Sequence, residues 1–300
     1  MSTIHAYLKA SRLPSQVYIF FPLLLGQAIA FSLTNRFSVS LFIMQILFGL
    51  TIQLFIVYAN DYADVKTDRD NRTYNIFSGG SRTLTSGAIS QETMKKAIGV
   101  TVICNLTLGI ILAVYFNRGY SLIFIGLALA LLAAYSYTPL KLSYRGGGEF
   151  LQVAGVAVLL PLFAFYLHKG NLVVFPLEII LTILPINFSC ALSTTLPDYP
   201  SDKQHQKRTL SVIVGPRVIK TLVPILNTLS FMLLLYFDNV TFNASLAIIA
   251  APFLATLLTA FLAAPAYPGN KSLFYFLLSN ISALVIFLAG LSLYFFVGFH

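Results

Sequence analysis

Residues 39–70 read VSLFIMQILFGLTIQLFIVYANDYADVKTDRD. Positions 39–59 carry no charged side chain, whereas 60–70 hold Asp61, Asp64, Asp68 and Asp70 beside Lys66 and Arg69. A helix needs about 20 mainly apolar residues to cross the hydrocarbon core of a bilayer. The run supplies them, and the abrupt change at Asn60 marks a membrane boundary with carboxylates gathered just beyond it. The run shows no period-two alternation, which excludes a transmembrane strand. Its reading sets the fold class as all-α and membrane-spanning.

Working outward, eight more stretches have the same character: 16–34, 96–116, 120–137, 150–167, 172–196, 212–236, 244–264 and 272–297. Turn signals separate them, among them Asn117-Arg118-Gly119, Arg145-Gly146-Gly147-Gly148 and Pro265-Ala266-Tyr267-Pro268-Gly269. The run from Gln16 has no small-residue cleavage site and reads as the first span rather than as a signal peptide. The expectation is a single domain over 1–300, nine transmembrane helices bundled around a central cavity open to the cytoplasmic side. Composition agrees: 57% of the residues are hydrophobic and 10% charged, against roughly 25% charged in soluble chains. Cys104 and Cys190 both lie in apolar runs, which argues against a disulfide framework or a thiolate metal site.

The net charge of +9 is first a topology signal, and nothing in it calls for a nucleic acid. With nine spans, 16 of the 19 Lys and Arg residues fall on one side, and only Arg36, Arg118 and Lys169 on the other. That asymmetry places the N-terminus and the acidic loops in the cytoplasm and His300 outside, in an integral multi-pass protein of the cell (inner) membrane.

Six of the ten acids sit in two short segments, 61–70 and Asp198-Tyr199-Pro200-Ser201-Asp202, each at the cytoplasmic end of a long apolar span. On a continuing helix Asp61, Asp64 and Asp68 share a face, as do Asp198 and Asp202, although Pro200 threatens the second helix. Like charges at such spacing repel, so the pattern calls for a counter-ion. Paired hard oxygen donors suit Mg²⁺, which binds through one or two carboxylates plus substrate phosphates. Arg69, Arg72 and Arg82 follow the first segment, and Lys203, Lys207 and Arg208 the second. Metal-bridged acids facing such cations form a clamp for a diphosphate. Phe77-Ser78-Gly79-Gly80-Ser81-Arg82 offers backbone N–H groups as an anion nest. A faint duplication also shows: Asp-x-x-x-Asp then Arg-Thr-Leu occurs at 64–84 and again at 198–210, relating spans one to four with five to eight and leaving a ninth.

Asn60-Asp61-x-x-Asp64-x-x-x-Asp68 with Asp198-x-x-x-Asp202 on nine spans resembles the UbiA superfamily of intramembrane prenyltransferases. Arg72-Thr73, the Ser-Gly-Gly-Ser-Arg loop, Tyr135-Ser136-Tyr137-Thr138-Pro139-Leu140-Lys141, Gly148-Glu149 and Lys207-Arg208-Thr209-Leu210 belong to the same likeness. The 77–82 loop is most similar to the menaquinone branch, the 1,4-dihydroxy-2-naphthoate polyprenyltransferases. The resemblance implies that Asp61, Asp64 and Asp68 bind Mg²⁺ on one side of a prenyl diphosphate and Asp198 and Asp202 on the other, assisted by Asn60. Arg72, Arg82, Lys141, Lys207 and Arg208 would neutralise the leaving diphosphate, and Tyr137 would lie near the allylic carbon. It also implies an aromatic acceptor, alkylated at its carboxylated carbon with loss of CO₂, and a lipid bilayer as surroundings. No obligate protein partner is implied. Gln206, where the family often has glycine, and the prolines flanking Asp198 depart from the pattern. An ion-coupled transporter is the rival class, but its sites lie on broken helices at the midplane, where these spans carry no charge. A CDP-alcohol phosphotransferase would need Asp-Gly-x-x-Ala-Arg, which is missing.

Overall fold

The computed structural model describes residues 3–298, so His300, which the charge count places outside the membrane, lies outside the described residues. The helices are α1 (Thr3–Ala10), α2 (Val17–Thr34), α3 (Val39–Ala63), α4 (Val65–Asp70), α5 (Gln91–Tyr115), α6 (Ser121–Ser136), α7 (Gly148–Lys169), α8 (Leu177–Ser193), α9 (Tyr199–Gln204), α10 (Leu210–Val214), α11 (Pro216–Tyr236), α12 (Phe242–Leu262) and α13 (Lys271–Val297). Among the described residues there is no strand, only an isolated bridge between Asn75 and Ser78.

Among the described residues seven helices are long and apolar enough to cross a membrane: α2, α3, α5, α7, α11, α12 and α13. α6 and α8 are apolar but have 16 and 17 residues, about 24 and 26 Å of rise against a core of about 30 Å. Both are shorter than the sequence predicts, and proline shortens α8. Pro176 caps α8 at its start, so 172–176 stay outside the helix. Tyr137 ends α6 in an extended conformation, and Pro139 disfavours the α region at Thr138, so the helix does not resume.

Two apolar cores meet along α2 and α7. Ile19, Leu23, Phe48, Ile52, Leu112, Ile125, Leu160 and Phe163 form one, from α2, α3, α5, α6 and α7. Leu25, Ile29, Phe165, Ile183, Phe231, Leu284 and Phe287 form the other, from α2, α7, α8, α11 and α13. α2 therefore buries opposite faces, which explains its near-uniform apolarity. Asn227 donates to Asn280 at 2.8 Å and Ser189 to Asn227 at 2.5 Å, the interhelical bonds expected of polar residues inside a bundle.

α7 is not a plain α-helix. Residues Ala154–Leu159 are wound as a π-helix just before Pro161. Proline cannot donate to the carbonyl one turn back, and the wider turn absorbs that defect. Gly155, Val156 and Leu159 of this turn line the cavity described next.

Candidate active site

The acidic end of α3 continues as a bent helix. Asp64 takes φ −99° and ψ 9° between α3 and α4. Its N–H still donates to the Asn60 carbonyl at 2.9 Å, and the Asp68 N–H to the Asp64 carbonyl at 2.8 Å. The helical face is thereby kept through the bend, and Asn60, Asp64, Thr67, Asp68 and Asn71 all look into one cavity. Asp61 does not line it. Its carboxylate is buried behind the wall, paired with the Arg12 guanidinium and accepting from the Ser81 hydroxyl and, at 3.1 Å, the Ser81 N–H.

The second acidic segment follows α8. Pro200 starts α9 rather than breaking it, because the first turn of a helix needs no N–H at that place. Asp198 is the N-cap, and the Asp202 N–H donates to its carbonyl at 2.8 Å. The two segments, more than a hundred residues apart in sequence, are joined by direct contacts. Asn71 Nδ2 donates to Asp198 Oδ1 at 2.6 Å, and Ser201 Oγ to the Thr67 carbonyl at 2.7 Å. At the rim His205 Nε2 lies 2.8 Å from Asp70 Oδ2. Lys207 Nζ stands between the two sets, 2.9 Å from Asp64 Oδ2 and 3.9 Å from Asp202 Oδ1.

The glycine loop does not present an open nest. The Gly79 N–H donates to Asp198 Oδ2 at 3.3 Å and the Ser81 N–H to Asp61, so the donors that sequence offered to an anion serve the protein's own carboxylates. Gly80 has φ +72°, and a Cβ there would come within 2.0 Å of Asp68 Oδ2. Only glycine lets the loop close on α4.

Five carboxylates, those of Asp61, Asp64, Asp68, Asp198 and Asp202, thus crowd around two inward-facing cations, Arg12 and Lys207. The imbalance shows in the protonation equilibria. Burial, then the charge of Asp64, pushes the Asp68 carboxyl up to about 8. Burial pushes Asp202 up to about 7, against the pull of Lys207. Asp198 is raised as well, chiefly by burial. Burial opposes the charge on Lys207, but Asp64 and Asp202 outweigh it and hold the ammonium well above its ordinary value. Excess negative charge made of hard oxygen donors fits a divalent cation. Among the described residues no three His, Cys, Asp or Glu side chains group to hold one ion. An ion here would be held by one or two carboxylates, with phosphate and water completing the shell, as Mg²⁺ prefers.

The cavity beneath encloses about 270 Å³. Its acidic mouth gives way to Ile19, Ile52, Ile56, Leu131, Leu132 and Leu160. Such a chamber takes a ligand with a charged head and an apolar tail.

Of the residues predicted from sequence, Asn60, Asp64, Asp68, Asp198, Asp202 and Lys207 line the cavity. The other basic candidates do not. Arg72 and Arg208 are exposed. Arg82 donates to the Asp68 carbonyl and stacks over Tyr74 at 4.5 Å, and Lys141 Nζ sits 3.7 Å over the Tyr144 ring. Tyr137 is turned away, its hydroxyl donating to the Ala59 carbonyl at 3.1 Å, and Tyr135 takes the place on the wall. Sequence reasoning gave no site role to Arg12, Tyr144, whose hydroxyl donates to Asp64 Oδ1 at 2.9 Å, or Asn71. In the sequence Arg12 is one of the 16 basic residues on the cytoplasmic side, and no spacing links residue 12 to residue 61.

An all-helical membrane bundle with acids from two distant segments set over an apolar chamber defines a class: intramembrane proteins that take an amphiphilic, anionic-headed ligand. The chain belongs to the UbiA prenyltransferase family, which it matches over residues 19–281, and it is a prenyltransferase. A UbiA homolog from Archaeoglobus fulgidus bound to GPP and Mg²⁺ has a TM-score of 0.65 at 18% identity, covering 96% of this chain and 99% of the other. A structure described as giving insights into digeranylgeranylglyceryl phosphate synthase in membranes has a TM-score of 0.65 at 18% identity, covering 99% and 100%. The apo UbiA homolog from Aeropyrum pernix K1 gives 0.65 at 14%, covering 97% and 98%. At these identities the likeness shows a shared fold. No curated protein sequence matches the chain.

Proposed function

We propose that the protein transfers a polyprenyl group from a prenyl diphosphate to an aromatic acceptor, 1,4-dihydroxy-2-naphthoate in menaquinone biosynthesis, with Mg²⁺ as cofactor. The reading takes α6 and α8 as full spans beside the seven longer helices, with the acidic face and N-terminus in the cytoplasm. The observation that carries it is the meeting of Asp64 and Asp202 at Lys207 over an apolar chamber.

Asp64 and Asp68 on one wall, and Asp198 and Asp202 on the other, are the residues to hold Mg²⁺. Asp61, engaged by Arg12 and Ser81, sets the loop behind them. When bound, the metal neutralises the diphosphate and acts as a Lewis acid, so that the allylic carbon–oxygen bond can ionise. Lys207 and Arg12 are the protein's own cations at that place. Lys207, once released from Asp64 and Asp202, and the unpartnered Nε of Arg12 face the departing charge. The Ile and Leu walls exclude water, which would otherwise consume an allylic cation. The Tyr135 ring on the wall offers a π-face to that cation. Asn60, whose Oδ1 has no partner, has a free acceptor at the same end.

The test is incubation of purified membranes with a labelled prenyl diphosphate and, separately, dihydroxynaphthoate, 4-hydroxybenzoate, homogentisate, haem and a lipid alcohol. Mg²⁺-dependent labelling of dihydroxynaphthoate alone is the expected result. Labelling of another acceptor overturns the menaquinone assignment, and full activity in EDTA overturns the metal clamp.

A further inference from the structure

Seven buried side-chain polar atoms among the described residues have no hydrogen-bond partner: Arg12 Nε, Tyr18 OH, Gln27 Nε2, Asn60 Oδ1, Ser78 Oγ, Ser136 Oγ and Glu149 Oε2. A native interior leaves few such atoms, because each costs about 1–3 kcal/mol. Five of the seven belong to residues lining the one cavity, so the defect is concentrated where a ligand could relieve it. Arg12 and Asn60 belong to the acidic end already described, Ser78 to the glycine loop beside it and Tyr18 to the first turn of α2. Glu149 belongs to none of these.

Glu149 opens α7 and is only 3% exposed. Its Oε1 accepts the Leu210 N–H at 2.7 Å, which fixes the carboxylate against the first turn of α10. Its Oε2 is left free. The Tyr135 ring adjoins, since a Cβ placed on Gly148 would come within 2.9 Å of Tyr135 Cε2. Gln152, Thr194, Thr195 and Thr209 complete a polar stretch of wall. Lys207 acts on it through charge, but its ammonium is engaged by Asp64 and Asp202, and Glu149 forms no ion pair among the described residues. A carboxylate with a free lone pair repels phosphate oxygens. It recognises an O–H donor.

Resting on the prenyl-transfer reading above, we propose that Glu149 is the catalytic base, receiving the hydroxyl of the acceptor on Oε2 and taking its proton. The acceptor oxygen passes its electron pair into the ring, and the ring carbon forms a bond to the allylic carbon. The bond from that carbon to the diphosphate oxygen breaks, and diphosphate leaves with the pair. The alkylated ring then loses its second substituent at that carbon, a proton or CO₂, to recover aromaticity. The acceptor class is a hydroxylated one, and its acidity matters.

The test is Glu149→Gln in the full-length protein, since the amide oxygen can still accept from Leu210 N–H and the shape is kept. kcat is expected to fall by about 100-fold, the ordinary worth of a general base. KM for the prenyl diphosphate and the Mg²⁺ requirement stay within about twofold of the parent. The second measurement is a series of phenols or naphthols of falling pKa on both proteins. The gap should close as the hydroxyl ionises without help, which a purely structural role for Glu149 would not produce. A variant within about threefold of the parent, a deficit independent of acceptor acidity, or a changed metal requirement overturns the proposal. Failure of the prenyl-transfer reading looks different: the parent itself neither binds nor turns over a prenyl diphosphate.

Discussion

Asp64→Asn removes one charge at the point where the two acidic segments meet, and almost nothing else. The side chain is isosteric, and its oxygen can still accept from the Tyr144 hydroxyl, now at 2.9 Å. Lost is the charge facing Lys207 at 2.9 Å, a gross attraction of about 6 kcal/mol at an effective dielectric of 20. Gained is relief of repulsion, because Asp64 raises the protonation equilibria of Asp68, Asp198 and Asp202. Lys207 also keeps Asp202 at 3.9 Å. These terms oppose one another, so the net cost to stability is about 1–2 kcal/mol, an ordinary single-site change. Catalysis has no such offset. A metal ion's stabilisation of leaving-group charge is worth several kcal/mol, and about 4 kcal/mol corresponds to about a thousandfold in rate. The assay is turnover of a labelled prenyl diphosphate by detergent-purified variant and parent across a Mg²⁺ titration, beside thermal melts of both. The expected outcome is a Tm within a few degrees and a rate down by about three decades. Retention of more than about a tenth of the activity, or loss matched by collapse of the melt, refutes the reasoning.

Lys207→Met strands Asp64 and Asp202, and removal of one partner from a buried pair costs about 3–5 kcal/mol. The metal-free melt should fall accordingly, with Mg²⁺ narrowing the gap; equal stabilisation of both proteins by Mg²⁺ would show that lysine and metal do not share a place. The metal-free protein should lose stability as pH rises from about 4 to about 8. Over that window the folded state holds protons on Asp68 and Asp202 that the unfolded chain has released. Mg²⁺ should bind more tightly over the same rise with release of protons, and a flat calorimetric titration from pH 6 to pH 8 contradicts this. Tyr137→Phe loses one hydrogen bond to the Ala59 carbonyl, worth about 1 kcal/mol, and should leave kcat within about threefold. Tyr135→Leu removes an aromatic face from the cavity and should lower kcat by about tenfold; the reverse order of effects would restore Tyr137 to the site.

Much of this protein is local and therefore visible in the chain itself. A helix in lipid must satisfy its own backbone, so each apolar run announces its span without reference to the others. Runs of acids at helical spacing are equally local, which is why Asp61, Asp64, Asp68, Asp198 and Asp202 are legible in the chain. Proline, too, acts within its own turn, although its effect on α8 and α7 depended on where in the helix it fell.

What sequence could not decide is who faces whom. Asp61 and Asp64 differ by three positions and look alike in the motif, yet the face that reaches the cavity runs through Asn60, Asp64, Thr67, Asp68 and Asn71, and Asp61 falls beside it, against Arg12 and Ser81. Tyr135 and Tyr137 exchange places because the chain leaves α6 between them. Arg12 reaches Asp61 across 49 residues, and Glu149 meets Leu210 across 61. Such pairings follow from helix packing and from the paths of loops. A one-dimensional pattern shows that charge needs a partner, and only the folded bundle selects which one.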